Sequence, residues 1–382
     1  MYVRSVDAAT SSTCRAERAV LPLDGSELWV VLDPALIPHR EASDFLRSLH
    51  GASRSPHTIR AYAGRVALFL GWCEAEGVDW RTIGLPAMAR FKHWLEAAPG
   101  RGGRRRSGST VNAVLTAVCE LLRFCARSGL IEAAVAERLS EPRWLRFTPP
   151  GFDAGESGQF RAVRARAIKA RSETPFPEAL TPEQAEAVLA RCRRPRERFL
   201  VVLLHDTGLR VGEALGLRRQ DMHLLPDSRT LGCAVVGAHL HVRHRANPNG
   251  ALAKSPFPRS VPASDAVLGA HADYQFERAE ILGEDGCDMV LVNLYHPPLG
   301  APMAYRSAKG FFDRLARECG FVVRPHMLRH TAATNWVRAG VDLDVVQKLL
   351  GHASLASTTV YLHARDDDKR RAVEAVAAGR RW

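Results

Sequence analysis

Regular apolar spacing stops at Pro142 and does not resume until after Pro177, and this break constrains the fold more than any other stretch of the chain. On either side the spacing is that of amphipathic helices. The chain must therefore build two hydrophobic cores, joined by a segment rich in Pro, Gly and Arg (143, 146, 161, 164, 166 and 171). Its 382 residues are enough for both. The expected organisation is an N-terminal arm over 1–39, a helical domain over 40–141, a basic linker over 142–177 and a second domain over 178–382.

Local signals fill in these segments. Glu27-Leu28-Trp29-Val30-Val31-Leu32 reads as a short strand, or as an arm packing on the next domain. Ser55 as N-cap and Pro56 at the first helical position open a helix with Ile59, Tyr62, Val66, Phe69 and Cys73 on one face. A second helix carries Val111, Val114, Val118, Leu121, Leu122 and Cys125 and stops at Gly129. Between them, Arg101, Arg104, Arg105 and Arg106 lie in a glycine-rich loop that could track a phosphate backbone or be a solvated surface. Thr181-Pro182-Glu183-Gln184 has the form of a capping box. Leu240 and Val242, with a Pro-Asn-Gly turn at 248–250, suggest a hairpin within 233–262. Helical patterns resume around Ser307–Cys319, His330–Ala339 and Leu343–Leu350, with a last amphipathic stretch at Asp367–Ala378. The expected fold class is mainly α with a small antiparallel sheet, in two domains.

Charge narrows the partner. A net charge of +12 concentrates polyanions around the chain, so nucleic acid is the first partner to consider, although a genomic bias toward arginine would give the same number. Lys supplies six of the 53 basic residues, leaving 47 Arg. Arg suits bidentate phosphate contact but does not release its proton near neutral pH, so an isolated Lys stands out as an acid. The eight Cys contain no C-x-x-C pair, which argues against a zinc ribbon. Cys73, Cys119 and Cys125 fall in apolar helical patterns and are expected in the core. With no signal peptide and no apolar stretch approaching a membrane span, a soluble cytoplasmic protein with no membrane partner is expected.

The last half of the chain holds Arg210, Lys254, His326, Arg329, His352 and Tyr361 in that order. Arg210 follows Gly208, read as a tight turn ahead of a helix, and Glu213 lies one helical turn on. Lys254 lies just past the Pro-Asn-Gly turn, seven residues before Val261-Pro262. If a helix begins near His326, its spacing to Arg329 puts both side chains on one face, within reach of one anion. Leu349-Leu350-Gly351 reads as a helix ending at a C-cap glycine, just before His352. Alone, each feature has an ordinary explanation: a surface ion pair, a solvated loop lysine, a half-buried packing tyrosine. Together their order is specific, with 23 residues from Arg329 to His352 and nine more to Tyr361.

This pattern resembles the tyrosine recombinase (phage integrase) family. Thr207 to Leu215 matches its first box with Glu213 at the acidic position, and Lys254 matches its hairpin lysine. His326-Met327-Leu328-Arg329-His330-Thr331-Ala332-Ala333-Thr334 matches its second box, and Thr358-Thr359-Val360-Tyr361 its nucleophile segment. The resemblance covers about Thr181 to Val373 closely and residues 40–140 loosely. It implies a helical, SAM-like core-binding domain and an integrase-type catalytic domain that close as a clamp on double-stranded DNA. By the same resemblance Tyr361 attacks the scissile phosphate, leaving a 3′-phosphotyrosyl link and a free 5′ hydroxyl. Arg210, Arg329 and His352 would hold the phosphate, His326 would assist proton transfer and Lys254 would protonate the leaving oxygen. Glu213 would orient the arginines and His330 would support the site as a packing residue. The covalent link conserves the phosphodiester energy, so no metal or other cofactor is implied. Further implied is a homo-tetramer on synapsed sites, with residues 364–382 docking on a neighbour; a directionality factor is a candidate partner, and the protein itself is expected in the cytoplasm at the nucleoid. Val290-Leu291-Val292-Asn293-Leu294 and Gly300 to Tyr305 resemble mobile-element integrases and transposases more than chromosome-dimer resolvases.

Two other classes fit part of this pattern. A type IB topoisomerase-like enzyme would share the chemistry but relax DNA without pairing two sites. A catalytically silent DNA-binding accessory factor on the same fold would be expected to have lost one of the six residues, and none is missing. It would also need its own groove-reading motif, and no helix-turn-helix signature stands out.

Overall fold

The computed structural model describes residues 13–20, 25, 27–100, 103–144, 162–172, 178–255, 257–352, 355–362 and 374. These fall into two compact units, one of residues up to 172 and one from 178 onward. The described residues are mostly helical with small antiparallel sheets, as expected, but there are three such sheets instead of one.

The first unit opens with a hairpin, β1 (Arg15–Val20) and β2 (Glu27–Leu32), in which Glu17 pairs with Val30 and Ala19 with Leu28. The strand reading of 27–32 is correct; its partner β1 is too polar to show an alternating signal. Five helices follow: α1 (Arg40–Gly51), α2 (Pro56–Ala75), α3 (Leu85–Ala97), α4 (Gly108–Arg127) and α5 (Ala133–Arg138). Ser55 caps α2, its Oγ accepting from the Thr58 amide at 3.2 Å, and Gly129 follows α4 at φ 67°, where a side chain would be strained. The core joins Phe45, Phe69, Phe91 and Leu122, and Cys73, Cys119 and Cys125 are buried in it as expected. Contrary to expectation, α4 is long and apolar enough by composition to cross a membrane; its face from Val111 to Cys125 is instead buried in this core.

Part of the expected linker is structured. β3 (Ser140–Trp144) pairs with β4 (Ala162–Arg166), Pro142 opposite Arg164. The chain then returns to α4, where Asn112 donates to the Ala170 carbonyl (2.8 Å) and accepts from its amide (3.0 Å). Arg166 donates to the Asn112 carbonyl at 2.6 Å. These polar bonds, which leave no apolar period in the sequence, add to the packing of Ile168 and the buried Ala170 on the core.

The second unit begins with α6 (Pro182–Ala190), whose Thr181–Gln184 capping box forms as read from the sequence. α7 (Pro195–Thr207) is buried along the whole run Phe199–Leu204, which makes it the central helix. α8 (Val211–Leu215) is short and leads to a three-stranded sheet of β5 (Met222–His223), β6 (His239–Val242) and β7 (Arg259–Pro262), in the order β5-β6-β7. α9 (Asp265–Leu282), α10 (Tyr305–Cys319), α11 (Pro325–Arg338) and α12 (Leu343–Leu350) complete it. The hairpin expectation is correct in pairing, with Val242 opposite Arg259. Between the two strands, residues 243–255 and 257–258 lie outside the sheet. Asn249 in the Pro-Asn-Gly turn donates to the Leu215 and Met303 carbonyls, each at 2.9 Å, so this turn anchors to the domain core and does not reverse the strand. The amphipathic stretch 367–378 and the docking segment 364–382 lie outside the described residues, apart from Glu374.

Candidate active site

The site forms where α7, α11 and α12 end or begin. α7 stops at Gly208, whose φ of 62° suits glycine, and a Cβ there would meet the Trp336 ring at 2.9 Å. This stop places Arg210 as N-cap of α8 and Glu213 one turn in, where its carboxylate accepts from the Arg210 amide at 2.9 Å. Glu213 is 2% exposed. Arg210 donates to its Oε1 at 3.0 Å, and Arg259 of β7 donates to both oxygens, at 3.2 and 2.7 Å. Arg329 of α11 comes within 3.9 Å. Burial alone would raise the Glu213 pKa, but the hydrogen bonds and charges of Arg259 and Arg210 outweigh it and hold it below the usual carboxylate range.

Three guanidiniums thus share one carboxylate, and the cluster keeps a surplus of two positive charges. Arg329 is fully buried and donates to the carbonyls of Gly208 and Leu350, each at 2.7 Å. Arg259 Nε donates to the Leu349 carbonyl at 2.9 Å. The free carbonyls at the ends of α7 and α12 are therefore what orient these arginines, which suits the negative ends of two helices. Gly351, at φ 62°, closes α12; a Cβ there would meet Arg259 Nη1 at 2.7 Å. Burial, then Arg210, pushes Arg329 down to about 9, so it stays charged at neutral pH, and its Nε has no hydrogen-bond partner.

α11 begins at Pro325, so His326, Arg329 and His330 stand on its first turns, as the sequence spacing predicts. Tyr361 ends a short 3-10 turn, Thr359–Tyr361, and packs with Ala333, Val346 and Leu350. Its hydroxyl pairs with His330 Nδ1 at 2.7 Å. His330, expected only to pack, is therefore the direct partner of the tyrosine. The His330 ring also meets His326 at 4.3 Å. His352 lies parallel to the Tyr361 ring at 6.5 Å, with its Nδ1 3.0 Å from the Thr358 hydroxyl. Burial and nearby positive charge push His330 down to about 4 and His352 down to about 3, so both rings are neutral at physiological pH. His326 is exposed at the rim; surrounding protein and the charges of Arg329, Arg210 and Lys254 lower its pKa too. For Tyr361 burial raises the pKa, against the pull of Arg329 and Arg210.

The structure therefore gathers Arg210, Glu213, Arg329, His330, His352 and Tyr361 at one place, with His326 at its rim. Lys254 is exposed on the 243–258 connection, near enough for its charge to act on His326. Arg259 was missed by the sequence reading. Its signal was there: two residues before the buried Val261 on the same strand face, it had to point inward, and an inward arginine needs a carboxylate. In the first unit Arg104 and Arg105 are exposed. Arg106 is half-buried, donating to the Ala98 carbonyl at 2.9 Å and lying over Trp94 at the end of α3. Arg101 lies outside the described residues.

An arginine cluster with surplus positive charge thus lies beside a tyrosine–histidine pair on this helical fold, and comparison with known proteins gives the class. Residues 178–368 match the phage integrase family and residues 42–129 the phage integrase N-terminal SAM-like domain, so the chain belongs to that family of tyrosine recombinases, enzymes that break and rejoin DNA. Transposase A from transposon Tn554 of Staphylococcus aureus is 27% identical over 90% of this chain and 92% of the relative. The tyrosine recombinase XerC of Mycobacterium leprae is 31% identical over 81% of this chain and 89% of its own. Among solved structures, the Tn1549 transposon integrase with circular intermediate DNA has a TM-score of 0.57 at 17% identity, covering 87% of this chain and 98% of that one. A lambda integrase dimer bound to a core site also has 0.57, at 15% identity over 90% and 97%.

Proposed function

We propose that this chain is a site-specific recombinase of a mobile element, acting on double-stranded DNA with Tyr361 as nucleophile. One observation carries the assignment of residues: three guanidiniums on a single buried carboxylate, beside a tyrosine hydroxyl bonded to a neutral histidine. The surplus positive charge suits a phosphate whose non-bridging oxygens gain charge in the transition state. Arg210, Arg259 and Arg329 form the cradle and Glu213 sets their directions, with His352 donating to the phosphate. His330 accepts the Tyr361 proton as the phenol attacks phosphorus; His326, at the rim, assists proton transfer. Lys254, on its exposed connection, delivers a proton to the departing 5′ oxygen, a step that arginine would perform poorly. The products are a 3′-phosphotyrosyl link and a 5′ hydroxyl.

Recombining two duplexes breaks four strands, each held by one tyrosine, so the working unit is a homo-tetramer on synapsed sites. A directionality factor that biases the exchange fits the same scheme, and the site of action is the nucleoid within the cytoplasm. The likeness to a transposase over nine-tenths of both chains supports the mobile-element reading.

Covalent trapping tests the proposal. Wild type and Tyr361→Phe are incubated with a fragment library of the native replicon and its host, denatured, and the attached DNA is sequenced. Adducts from wild type alone, at one recurrent inverted repeat, are expected. Adducts from Tyr361→Phe would remove Tyr361 as nucleophile; adducts scattered without a common site would replace recombination by a topoisomerase-like activity.

A further inference from the structure

A second cluster, made of other residues, lies on the three-stranded sheet. His223 on β5, His239 and His241 on β6 and Cys233 in the loop between the strands bring four ligand atoms within 4.8 Å of one another. Local geometry explains why they meet. His223 and His239 are direct partners across the β5–β6 pair, while His239 and His241, two apart on one strand, share a face. Cys233 Sγ is 3.3 Å from His239 Nε2 and 3.4 Å from His241 Nε2, and those nitrogens are 3.1 Å apart.

Hydrogen bonding among these groups leaves them poorly satisfied. His239 Nδ1 is 2.7 Å from the Gly237 carbonyl, which can only accept, so the ring carries its proton there and turns a bare lone pair at Nε2 toward the sulfur. At most two protons, one on the sulfur and one on His241 Nε2, serve three close contacts. His223 Nδ1 is buried with no hydrogen-bond partner, and His223 and His239 are 8% and 1% exposed. A tetrahedral zinc ion resolves this crowding. Bonds of about 2.0–2.1 Å to nitrogen and about 2.3 Å to sulfur set ligand atoms about 3.4 Å (N to N) and about 3.6 Å (S to N) apart. The three separations among Cys233, His239 and His241 lie within a few tenths of an ångström of these values, and His223 completes the group within 4.8 Å, a movement of about an ångström from closing on the same ion.

We propose that His223, Cys233, His239 and His241 form a four-coordinate structural zinc site, assembled as the Cys233 thiol releases its proton and binds the ion as thiolate. One thiolate and three neutral imidazoles suit Zn²⁺, and four protein ligands leave no position open for chemistry. The site answers a local need. The loop between β5 and β6 leaves Leu225, Leu231, Val235 and Val236 exposed, so apolar burial does little to hold it. An ion fastening Cys233 to both strands supplies the missing constraint. It also fixes β6, against which β7 places Arg259 opposite Val242. The absence of a C-x-x-C pair hid the constellation, because the ligands are spaced by strand pairing and not by a zinc ribbon's knuckles.

The test is metal content and a cobalt spectrum of the full-length protein, neither of which needs DNA; failure of the recombinase reading would leave both readouts unchanged. Protein purified without chelator is expected to carry one zinc per chain by elemental mass spectrometry. After chelation, titration with Co²⁺ is expected to give the visible bands of tetrahedral cobalt and a sulfur-to-cobalt charge-transfer band that saturates at one equivalent. Cys233→Ser should abolish the charge-transfer band, and His239→Asn should lose the zinc, whereas Cys192→Ser should alter neither. Wild type that holds no zinc and gives no tetrahedral cobalt spectrum overturns the proposal, whether or not the variants fold. Undiminished zinc in a Cys233→Ser, His239→Asn double variant overturns it equally.

Discussion

Replacing Glu213 by Gln isolates the electrostatic core of the site. The substitution preserves shape and one acceptor oxygen but removes the negative charge that three guanidiniums share. Arg210 and Arg259 lie 2.7 to 3.2 Å from the carboxylate and Arg329 at 3.9 Å. The Glu213 side chain is fully buried, and those of Arg259 and Arg329 are 10% and 0% exposed, so solvent screens little of the change. With an effective dielectric near 20, each close contact is worth roughly 5 kcal/mol before desolvation. Desolvation offsets most of this gross attraction, and breaking a buried pair from one side typically costs about 3–5 kcal/mol. Because Gln keeps an acceptor, the lower end applies. A loss of about 3 kcal/mol in a domain of this size lowers Tm by roughly 6–12 °C. The assay is thermal unfolding at low ionic strength, with and without sulfate. An anion bound by the unbalanced arginines stabilises the folded state by mass action, by about 2.7 kcal/mol at a hundred times its Kd, so sulfate should restore the variant more than it raises wild type. A variant within about 0.5 kcal/mol of wild type, the range of an ordinary surface change, would refute the reasoning. So would a loss that sulfate leaves untouched.

Arg259→Lys should cost roughly 1.5–3 kcal/mol of stability, as expected for lost charge-assisted hydrogen bonds, and should slow covalent adduct formation. One ammonium cannot reach both the Glu213 carboxylate and the Leu349 carbonyl, which the guanidinium bridges. Wild-type unfolding and adduct rates in that variant would dismiss Arg259 from the site. The depressed histidines make a pH prediction. His330 and His352 take up a proton near pH 4 and pH 3 in the folded protein, against 6.5 ordinarily. The unfolded chain therefore protonates first as pH falls, and the stability these rings contribute is complete above about 6.5 and lost progressively toward pH 4 and then 3. NMR titration of the two imidazoles in free protein should place both midpoints below 5; midpoints near 6.5 would contradict their burial among positive charges.

Much of the helical framework was legible in the sequence because its determinants are local. Ser55, the Thr181–Gln184 box, Gly129 and Gly351 act on backbone within a turn of themselves, and each does in the structure what its residue type implies. The same holds for His326 and Arg329, whose common helix begins at Pro325. Residue type and spacing also carried the family, since the order from Arg210 to Tyr361 survives without knowledge of any contact.

Other features were settled only by contacts between residues far apart in the chain. The pairing of His330 with Tyr361 spans 31 positions, Arg259 reaches Glu213 across 46, and Arg329 reaches Gly208 across 121. No periodicity encodes such separations; they exist because α7, α11 and α12 present their ends to one another around a buried charge. The true connection of β6 to β7 was hidden because Asn249 is held by carbonyls from distant parts of the chain. That Arg106 is held against the end of α3 was hidden in the same way, since its partners Ala98 and Trp94 meet it only in the fold. The four ligands on the sheet follow the same rule, brought together by β5–β6 pairing and a loop closure that a linear reading of residue types does not contain. Residue identity determined which chemistry this chain can perform; tertiary packing decided which side chains meet to perform it, because hydrogen bonds and metal bonds act over about 2–3 Å and only the folded chain brings distant residues that close.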